Sequence, residues 1–497
     1  MSFTPLLIFH KIYQHQNRRI SVLPLHNLKN KWGIWMTLKF LQLTKKDDFQ
    51  KTLKGLSIAI SPSLLKFLHV DLHDDVYVCI AKMLIPVNVQ THSLEKQDIV
   101  FSTDLEKNLP IPKEINTYLL PYYHKNQIIH LGPVIGILTE VNDDKEDISF
   151  PAIQHLCKEL TEELTQIGGF FYLFGLQHVQ DDFVHGYFFA NNTWSKQPLP
   201  YPNVVYNRLH SRKAEASTSF LQLKKILEDK EIPIFNSKFF SKDETYQLLV
   251  KNAEVTLHLP VTEPLTVENL HFMLKNFPVL YVKPVHGSQG RNIIHIESFN
   301  NHYIATISSG KRKGKSQLFT EEKKLWKWLE HYSKGRSYIC QQGIDFQKWQ
   351  GRSLDFRILC HKNYQGNWTI TSTVARIAQK NAIVANLAQG AEMKPAKAVL
   401  NELLHTENAE QKLEELKRLA IEIAILLHKN TDGYLGELGI DIGMDKQGHL
   451  WIIEVNSKPS KKLEEHIEKT RPSTKALLEY FIALSFSPCL KELSDDE

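Results

Sequence analysis

A short apolar run that leads into Lys-Pro and a glycine-bearing loop, residues 279–291, constrains the fold more than any other segment. Lys283 stands at the end of the run, Gly287 and Gly290 lie in the loop, and a second apolar run follows at residues 293–296. This order predicts a strand, a tight loop and a returning strand. Glycines leave backbone N–H groups accessible to an anion, and the lysine can face the same anion. The segment therefore predicts either a phosphate-binding loop or an ordinary hairpin with a solvated lysine.

A second hairpin lies far downstream, at residues 439–456, where an Asp-Lys-Gln-Gly turn joins two apolar runs. Side chains alternate along a strand, so Glu454 and Asn456 project from one face and Asp441 on the partner strand can face them. Two carboxylates and an amide oxygen form the all-oxygen set that suits Mg²⁺. An unpaired carboxylate inside an apolar strand is costly, which favours a metal site over two solvated hairpin carboxylates.

Together these two segments resemble the ATP-grasp superfamily, over roughly residues 231–485. In that fold the lysine strand and the glycine loop hold the phosphates of ATP, and an Asp…Glu-x-Asn set binds Mg²⁺. The resemblance implies the same roles for the matching residues. The implied ATP contacts are Lys283, Gly287, Ser288 and Gly290, and the implied Mg²⁺ ligands are Asp441, Glu454 and Asn456.

More closely, the chain resembles the YheC/YheD family of endospore-coat-associated ATP-grasp proteins. The similar segments, besides the C-terminal Glu-x-Asn, are residues 131–138, 204–208 and 235–242. The resemblance runs from about residue 131 to the end of the sequence, and we expect it over the N-terminal region as well. It implies an association with the spore coat, with coat proteins as candidate partners of the N-terminal region.

Charged and apolar residues alternate over residues 355–359, which predicts a strand with Asp355 and Arg357 on one face. From the residues alone, this pair could also be an exposed cross-strand ion pair of little consequence. With Arg376 on a later strand, the set resembles ATP-grasp ligases that join amino acids to a carboxylate substrate. That resemblance implies that Arg376 faces the transferring phosphoryl group, for which a planar guanidinium fork is suited. The catalytic candidates are therefore Arg376 and Arg357, and Asp355 is a cofactor-binding candidate.

Three further cofactor-binding positions are implied by the same resemblance. Gln341 and Gln342 fall where ATP-grasp enzymes have a hinge strand beside adenine. Glutamate is more frequent there, but an amide still offers a donor and an acceptor. Lys242 occupies the place of a first nucleotide-binding lysine at a helix start, and an ordinary surface lysine is the alternative.

Composition and charge exclude several other functions. A formal charge of +5 over 497 residues argues against a dedicated nucleic-acid binder. We interpret the basic run at residues 311–315 as a solvated lid loop, and a local basic patch for nucleic acid is the alternative. The 5 cysteines are dispersed without a CxxC pair, which is typical of reduced thiols rather than a disulfide framework or a zinc site. No run approaches the ~20 apolar residues of a membrane span, so we expect a soluble, cytoplasmic protein.

The chain is too long for one core, and its patterns predict an α/β (α+β) multidomain protein. The N-terminal part reads as β-rich, and two helix–turn–strand units at residues 60–78 and 111–129 predict a small barrel. From residue 131 onward, strand–helix–strand order predicts a parallel sheet. The expected domains are a β-rich domain at 1–130, a pre-ATP-grasp α/β domain at 131–230, an ATP-grasp domain at 231–485 and a flexible tail at 486–497.

The candidate residues and the resemblance together predict phosphoryl transfer. The leading hypothesis is an ATP- and Mg²⁺-dependent ligase that activates a carboxylate as an acylphosphate, which an amine or thiol then attacks. Its substrates would be small-molecule or peptide carboxylates and amines. The alternative hypothesis is a nucleotide-binding scaffold protein of the spore coat with little catalytic turnover.

Overall fold

A computed structural model describes most of the chain. The described residues are 28–29, 35–36, 38–43, 50–94, 98–121, 127–144, 148–287, 292–307, 315–333, 335–379, 391–404, 406–461 and 469–487. Ser288 and Gly290 lie outside these residues, as do most of the predicted lid loop at 311–315 and most of the predicted tail at 486–497. The interpretations placed on them stay predictions.

The N-terminal region is β-rich, as the sequence predicts. Its elements are β1 (Leu28–Lys29), β2 (Trp35–Met36), β3 (Leu38–Leu43), β4 (Ser57–Ile60), α1 (Pro62–Leu68), β5 (Val76–Ile80), β6 (Met83–Thr91), β7 (Asp98–Phe101), α2 (Thr103–Asn108), β8 (Thr117–Pro121) and β9 (Ile128–Leu131). Strands β1 and β2 form a ribbon, and the other strands form a 7-stranded sheet in the order β8–β3–β7–β4–β6–β5–β9. An isolated antiparallel bridge joins Leu119 to Gly132. The two outer strands therefore approach each other, and the sheet curls toward a barrel.

The second helix of this region lies earlier in the chain than the sequence predicts. The helix–turn–strand unit at residues 111–129 predicts a helix that begins near residue 111. Helix α2 begins after Ser102, whose side chain accepts a hydrogen bond from the backbone N–H of Leu105 at 3.1 Å. Residues 111–115 form a turn instead. Pro110 and Pro112 explain the difference, because a proline disfavours helical conformation in the residue before it. The helix position in the predicted second unit was wrong.

The next region is an α/β sheet. Its elements are β10 (Val134–Leu138), α3 (Gln154–Ile167), β11 (Phe170–Phe174), β12 (Val184–Ala190), β13 (Thr193–Leu199), β14 (Val204–Asn207), α4 (Arg212–Glu215), α5 (Thr218–Asp229) and β15 (Ile234–Phe235). The sheet order is β13–β12–β11–β10–β14–β15. Strands β11, β10, β14 and β15 run parallel, and β12 and β13 are antiparallel additions at one edge. This confirms the predicted strand–helix–strand order.

The first two regions share one hydrophobic core. Buried side chains from both sides of residue 131, among them Val78, Ile129, Val134 and Phe170, belong to a single cluster. Backbone contacts add to this interface, because the N–H of Gly169 donates to the carbonyl of Thr117 at 2.9 Å. The domain limits at residues 130 and 230 stay predictions, and the shared core shows that the first two regions are tightly packed against each other.

The following segment forms what we call the lysine lobe. Its elements are β16 (Thr262–Pro264), α8 (Val267–Asn276), β17 (Val279–Pro284), β18 (Ile294–Phe299), β19 (His302–Ile307), β20 (Ser316–Phe319), α9 (Glu322–Ser333) and β21 (Tyr338–Gln342), and they are preceded by α6 (Lys242–Leu249) and α7 (Ala253–Thr256). The strands form an antiparallel sheet in the order β16–β21–β17–β18–β19–β20. Strand β17 alternates, so Leu280 and Val282 are buried in the lobe's core while Tyr281 and Lys283 lie on the opposite face.

The central sheet is the last large unit. Its elements are β22 (Lys348–Trp349), β23 (Arg352–Lys362), β24 (Trp368–Ile377), β25 (Glu392–Pro395), α10 (Ala396–Leu403), α11 (Thr406–Lys429), β26 (Glu437–Met444), β27 (Leu450–Asn456) and α12 (Pro472–Ser485). The sheet order is β25–β24–β23–β26–β27, and β22 pairs with β23. Phe356 and Ile440 on one face of this sheet join a core with Leu416 and Ile423 of α11. In the part of the chain that the structure describes, no helix is long and apolar enough to cross a membrane.

A buried charge network fastens the α/β sheet to the central sheet. Glu437, at the start of β26, is fully buried and accepts from Tyr206, from Lys461 and, at 3.2 Å, from Arg208 Nη1. His361 Nε2 lies 3.3 Å from its second carboxylate oxygen. Burial alone would raise the pKa of Glu437, but the charge of Lys461 and the other donors outweigh it, and the pKa lies well below its usual range. The carboxylate therefore stays ionised and holds the two units together.

The substitution Glu437→Gln should lower the free energy of unfolding by about 3 kcal/mol, because Arg208 and Lys461 lose the buried charge that neutralises them. Urea denaturation followed by tryptophan fluorescence measures the change. Glu414→Gln is a matched control, since Glu414 pairs with Lys417 on the exposed surface of α11 and should matter by less than about 0.5 kcal/mol. Equal effects of the two substitutions would contradict the structural role of Glu437.

Candidate active site

The central sheet carries a row of charged side chains across four adjacent strands. Arg376 on β24 is paired in register with Asp355 on β23. Arg357 on β23 is paired with Asp441 on β26, and Asp441 is paired with Glu454 on β27. Five of the predicted site residues, far apart in sequence, therefore lie side by side on the sheet.

Two arginines hold the carboxylates of this row. Arg376 donates from Nε and Nη2 to the two carboxylate oxygens of Asp355, at 2.6 and 2.8 Å. Its Nη2 also lies 2.9 Å from Oδ2 of Asp441. Arg357 donates to both oxygens of Asp441, from Nη2 at 2.9 Å and from Nε. Because both contacts are bidentate, the positions of the guanidinium groups are tightly fixed.

Burial and charge act in opposite directions on these carboxyl groups. Burial raises the pKa of Asp355 to about 6, and the negative charge of Asp441 acts in the same sense. Burial would also raise the pKa of Asp441, but Arg357 and Arg376 outweigh it and hold that pKa below its usual value. Asp441 is therefore the ionised centre of the row, while Asp355 fixes the orientation of Arg376.

Two lysines face this row from other elements. Lys242 is the first residue of α6, which Ser241 caps by accepting from the N–H of Glu244 at 3.0 Å. The ammonium of Lys242 donates to Glu454 Oε1 at 2.8 Å and to the carbonyl oxygen of Gly287 at 3.1 Å. The predicted helix start is thus confirmed. Lys242 joins three parts of the protein, since it connects α6, the lysine lobe and the central sheet.

Lys283 is the second lysine, and its ammonium donates to Oε1 of Gln341 on the neighbouring strand at 2.5 Å. Burial and, to a smaller extent, the positive charge of Lys242 lower the pKa of Lys283 from the ordinary 10.5 to about 8, against the opposing effect of Glu454. Within the described ranges, no carboxylate forms an ion pair with this half-buried lysine, and its hydrogen bond to Gln341 does not neutralise its charge. It would be stabilised by any anion that entered the pocket.

The glycine of the loop has a packing role as well. A Cβ atom at Gly287 would lie 2.5 Å from Cγ of Pro284, so the tight turn after β17 requires glycine at this position. Its carbonyl oxygen, rather than its N–H, is the group that contacts Lys242. The assignment of Gly287 to ATP stays a prediction.

An open pocket lies between the lysine lobe, α6 and the central sheet. Its apolar wall could hold a flat heteroaromatic ring, and its polar end contains both lysines and Glu454. The apolar wall comprises Phe240, Tyr246, Leu249, Leu259, Ile339, Ile452 and Val455. An adenine base and its phosphates fit this division between an apolar and a charged end.

The two glutamines lie in different environments. Gln341 lines the pocket, accepts from Lys283 and donates from Nε2 to Thr262 Oγ1 at 2.9 Å. Gln342 points the other way, and its Oε1 accepts from the backbone N–H of Val261 at 3.2 Å. The structure therefore brings Gln341 to the predicted site, whereas the side chain of Gln342 fastens the segment before β16.

Sequence reasoning missed Thr262 and the apolar wall of the pocket. Simple alternation would not have found Ile452, because the register shifts between Asp441 and Ile442 and pairs Ile452 with Ile442 in the apolar core. Thr262 and Leu259 had no local sequence signal, because they enter the pocket only through the pairing of β16 with β21.

The three predicted metal ligands lie on two neighbouring strands, β26 and β27. Asp441 and Glu454 are register partners, and Asn456 is paired with Gly439 two positions along the same strands. Among the described residues, no group of three or more His, Cys, Asp and Glu side chains could hold a metal ion. A metal here would depend on the mixed set of two carboxylates and one amide. The donors are all oxygen and fit Mg²⁺, and in this structure Lys242 and the two arginines neutralise the carboxylates.

A hairpin lysine at the polar end of a pocket that also contains Glu454, the last residue of the charged row, is typical of an ATP-grasp protein. A family model described as YheC/D-like ATP-grasp matches residues 231–484, about half of the chain. The chain belongs to this family, which confirms the family and the fold predicted from the sequence.

Two curated relatives come from Bacillus subtilis (strain 168). The endospore coat-associated protein YheD is 28% identical over 378 residues, 75% of this chain and 82% of that protein. The endospore coat-associated protein YheC is 24% identical over 283 residues, 56% of this chain and 76% of that protein. Among solved structures, D-alanyl-alanine synthetase A from Vibrio cholerae O1 biovar eltor str. N16961 is 15% identical, with a TM-score of 0.42 over 73% of this chain and 99% of that chain.

The low pKa of Lys283 predicts a pH dependence of stability. Between about 8 and the ordinary 10.5, the unfolded chain holds a proton that the folded protein has lost, so the free energy of unfolding rises with pH. The wild type should gain about 1–2 kcal/mol relative to Lys283→Met across this window, a value reduced for solvent screening.

Urea denaturation at pH values below, within and above the window measures this difference. Lys446→Met provides the matched control, because Lys446 is an exposed lysine that pairs with Asp345 at the surface. The difference between wild type and Lys283→Met should change with pH, and the difference for the control should not. A constant difference for Lys283→Met would show that its ammonium remains charged throughout.

Proposed function

We propose that the protein is an ATP- and Mg²⁺-dependent ligase that joins a carboxylate to an amine or thiol through an acylphosphate. One observation carries the proposal: the half-buried Lys283 and Lys242 meet Glu454 at the charged end of one pocket. Glu454 is the register partner of Asp441, which binds Arg376. Membership of the YheC/D-like ATP-grasp family supports the proposal. The nature of the acceptor and of the nucleophile is left open.

The two lysines would bind the phosphates of ATP. Lys283 donates to the amide oxygen of Gln341 and has no carboxylate within hydrogen-bonding distance among the described residues, so a bound anion would favour its charged form. Lys242 is held by Glu454 and Gly287. When a nucleotide binds, Lys242 would exchange Glu454 for a phosphate oxygen, which leaves Glu454 available to a metal ion.

Mg²⁺ bound by Asp441, Glu454 and Asn456 would supply positive charge that neutralises phosphate oxygens. Lys242 lies between Glu454 and Gly287, so its ammonium would orient the phosphate chain toward the central sheet. The apolar wall would exclude water from the base, and Gln341 would present its amide to the base's edge.

Arg376 would stabilise the charge that develops on the transferring phosphoryl group. Asp355 holds its guanidinium through two hydrogen bonds, at 2.6 and 2.8 Å, and would thereby act as a positioning residue. Arg357, bound to Asp441 in the same way, would hold that carboxylate in place. Both arginines are thus pre-organised, and little reorganisation would be needed during the reaction.

The reaction conserves atoms and charge in two steps. A carboxylate oxygen forms a bond to the terminal phosphorus of ATP while the bond from that phosphorus to the bridging oxygen breaks, and ADP leaves. An amine or thiol then attacks the carbonyl carbon of the acylphosphate. The bond from carbon to the phosphate oxygen breaks, inorganic phosphate leaves, and the nucleophile gives up a proton to solvent.

A second candidate function is a nucleotide-binding scaffold of the spore coat. One observation favours it: both oxygens of Asp441 are already bound by arginines, which hinders metal binding and turnover. The relatives in Bacillus subtilis are named endospore coat-associated proteins. We accordingly propose that this chain acts in the cytoplasm and at the spore coat, and that its N-terminal region is the candidate surface for coat proteins.

Release of ADP separates the two candidates. The full chain, with ATP and Mg²⁺, is offered pools of amino acids, peptides and peptidoglycan precursors, and nucleotide affinity is measured in parallel by calorimetry. Turnover with one pool supports the ligase, and tight binding without turnover supports the scaffold. Lys283→Ala should weaken nucleotide binding about tenfold or more. Unchanged affinity in a folded Lys283→Ala variant would refute both.

Glu454→Gln should keep the fold but raise the Mg²⁺ concentration needed for nucleotide binding about tenfold or more, because the amide lacks the charge that Mg²⁺ requires. A Mg²⁺ titration of nucleotide affinity measures the effect. Glu410→Gln is the control, since Glu410 forms an exposed ion pair with Lys397 at the surface. Normal Mg²⁺ dependence in Glu454→Gln would exclude Glu454 as a ligand.

A further inference from the structure

Arg212, which lies outside the segment matched by the family model, reaches the edge of the phosphate site. It is the first residue of α4 in the α/β sheet region. Its Nη2 donates to the carbonyl oxygen of Phe240 at 2.8 Å, and its Nη1 lies 3.4 Å from Nδ1 of His286. Phe240 lines the nucleotide pocket, and His286 precedes Gly287 in the loop after β17.

The guanidinium of Arg212 and the ammonium of Lys242 flank the same short loop. Lys242 contacts the carbonyl oxygen of Gly287, and Arg212 contacts the adjacent His286. Arg212 also lies within the electrostatic influence of the site residue Glu454. Partial burial lowers the pKa of Arg212, while the negative charges of Glu215 and Glu454 oppose this effect. Glu454 therefore acts on Arg212 as well as on Lys242.

The segment that carries Arg212 is fixed at both ends. Before it, the carboxylate of Glu140 accepts from the backbone N–H groups of His210 and Ser211 at 2.6 and 2.9 Å. After it, Glu215 accepts from Asn207 Nδ2 at 2.8 Å, from the N–H of Phe239 at 3.0 Å and from Lys458. The backbone on both sides of Arg212 is therefore held by side-chain hydrogen bonds. These contacts give the side chain a defined starting point.

The topology also places this segment where ligands bind in parallel sheets. Strand β10 continues through α3 to β11 on one side, whereas β14 continues through α4 and α5 to β15 on the other. The connections diverge at the carboxyl ends of β10 and β14, which is a topological switch point. Glu140 follows β10 and Arg212 follows β14, and the side chain of Arg212 extends from there to the loop at His286.

We propose that Arg212 is a third cationic group of the phosphate site and binds the terminal phosphoryl group of ATP. The inference rests on the proposed nucleotide binding and deepens it. An arginine suits this place because its fork retains free donors after one of them has bound the carbonyl of Phe240. The site is then composite, since the α/β region supplies a group that residues 231–484 lack.

The terminal phosphate distinguishes this role from a purely structural one. If Arg212 only supported Phe240, its loss would disturb the pocket and weaken ADP and ATP alike. If it binds the terminal phosphoryl group, its loss should weaken only nucleotides that carry that group. The test compares Mg²⁺-ADP with a non-hydrolysable Mg²⁺-ATP analogue by calorimetry, on the full chain.

Four proteins are compared: wild type, Arg212→Gln, Arg212→Lys and the control Lys213→Gln. Lys213 is the exposed neighbour on the same helix, so its loss removes one charge without the contacts of Arg212. We expect Arg212→Gln to bind the ATP analogue about tenfold more weakly and ADP nearly as well as wild type. Arg212→Lys keeps the charge but not the planar guanidinium, so its affinity for the ATP analogue should lie between those of Arg212→Gln and wild type. Lys213→Gln should bind both nucleotides like wild type.

An equal loss of affinity for both nucleotides in Arg212→Gln would overturn the inference, and so would equal affinity of Arg212→Gln and wild type for the analogue. An effect of Lys213→Gln as large as that of Arg212→Gln would reduce the role to general charge and would overturn it as well. A wild type that binds neither nucleotide would instead refute the proposed function, which keeps the two failures distinct.

Discussion

The register of the central sheet is the constraint on which the rest of the site depends. Asp441 receives Arg357 and Arg376 only because β24, β23 and β26 align Asp355 with Arg376 and Arg357 with Asp441. A slip of one residue would turn these charges into the core beneath α11 and expose apolar residues in their place. Burial of the opposite face against α11 therefore fixes the register, and the register fixes the positions of the charged groups.

Local patterns predicted a large part of this arrangement. The alternation around Glu454 and the lysine at the end of β17 gave the two hairpins, and the structure contains both. The bidentate pairing of Arg376 with Asp355 was not predictable, because it depends on how two separate strands align. The same holds for Thr262, which reaches the pocket only through a strand pair. Sequence periodicity reports which face a residue occupies, but not which residue lies opposite.

A perturbed pKa does not by itself mark a functional group in this protein. Glu437 and Lys283 both have strongly shifted pKa values, yet their surroundings differ. Glu437 is fully buried, and its oxygens accept from side chains of both units, which leaves no opening for a ligand. Lys283 lines an open pocket, and no carboxylate of the residues that the structure describes lies within hydrogen-bonding distance of it. A shifted pKa indicates a candidate functional site only where the group is also accessible to a ligand, as Lys283 is and Glu437 is not.

The contacts between the α/β sheet and the central sheet differ in kind from those that the lysine lobe makes with its neighbours. The α/β sheet and the central sheet are locked by buried ion pairs, with Glu437, Arg208 and Lys461 all inaccessible to solvent. The lysine lobe meets its neighbours through partly exposed contacts, such as Lys242 with Gly287 and Arg212 with His286. Buried ion pairs are costly to separate, whereas exposed contacts are readily exchanged for water or a ligand. The pocket proposed for the nucleotide lies along the second kind of boundary, where groups that hold the lobe in place would be transferred to phosphate oxygens without unfolding either sheet.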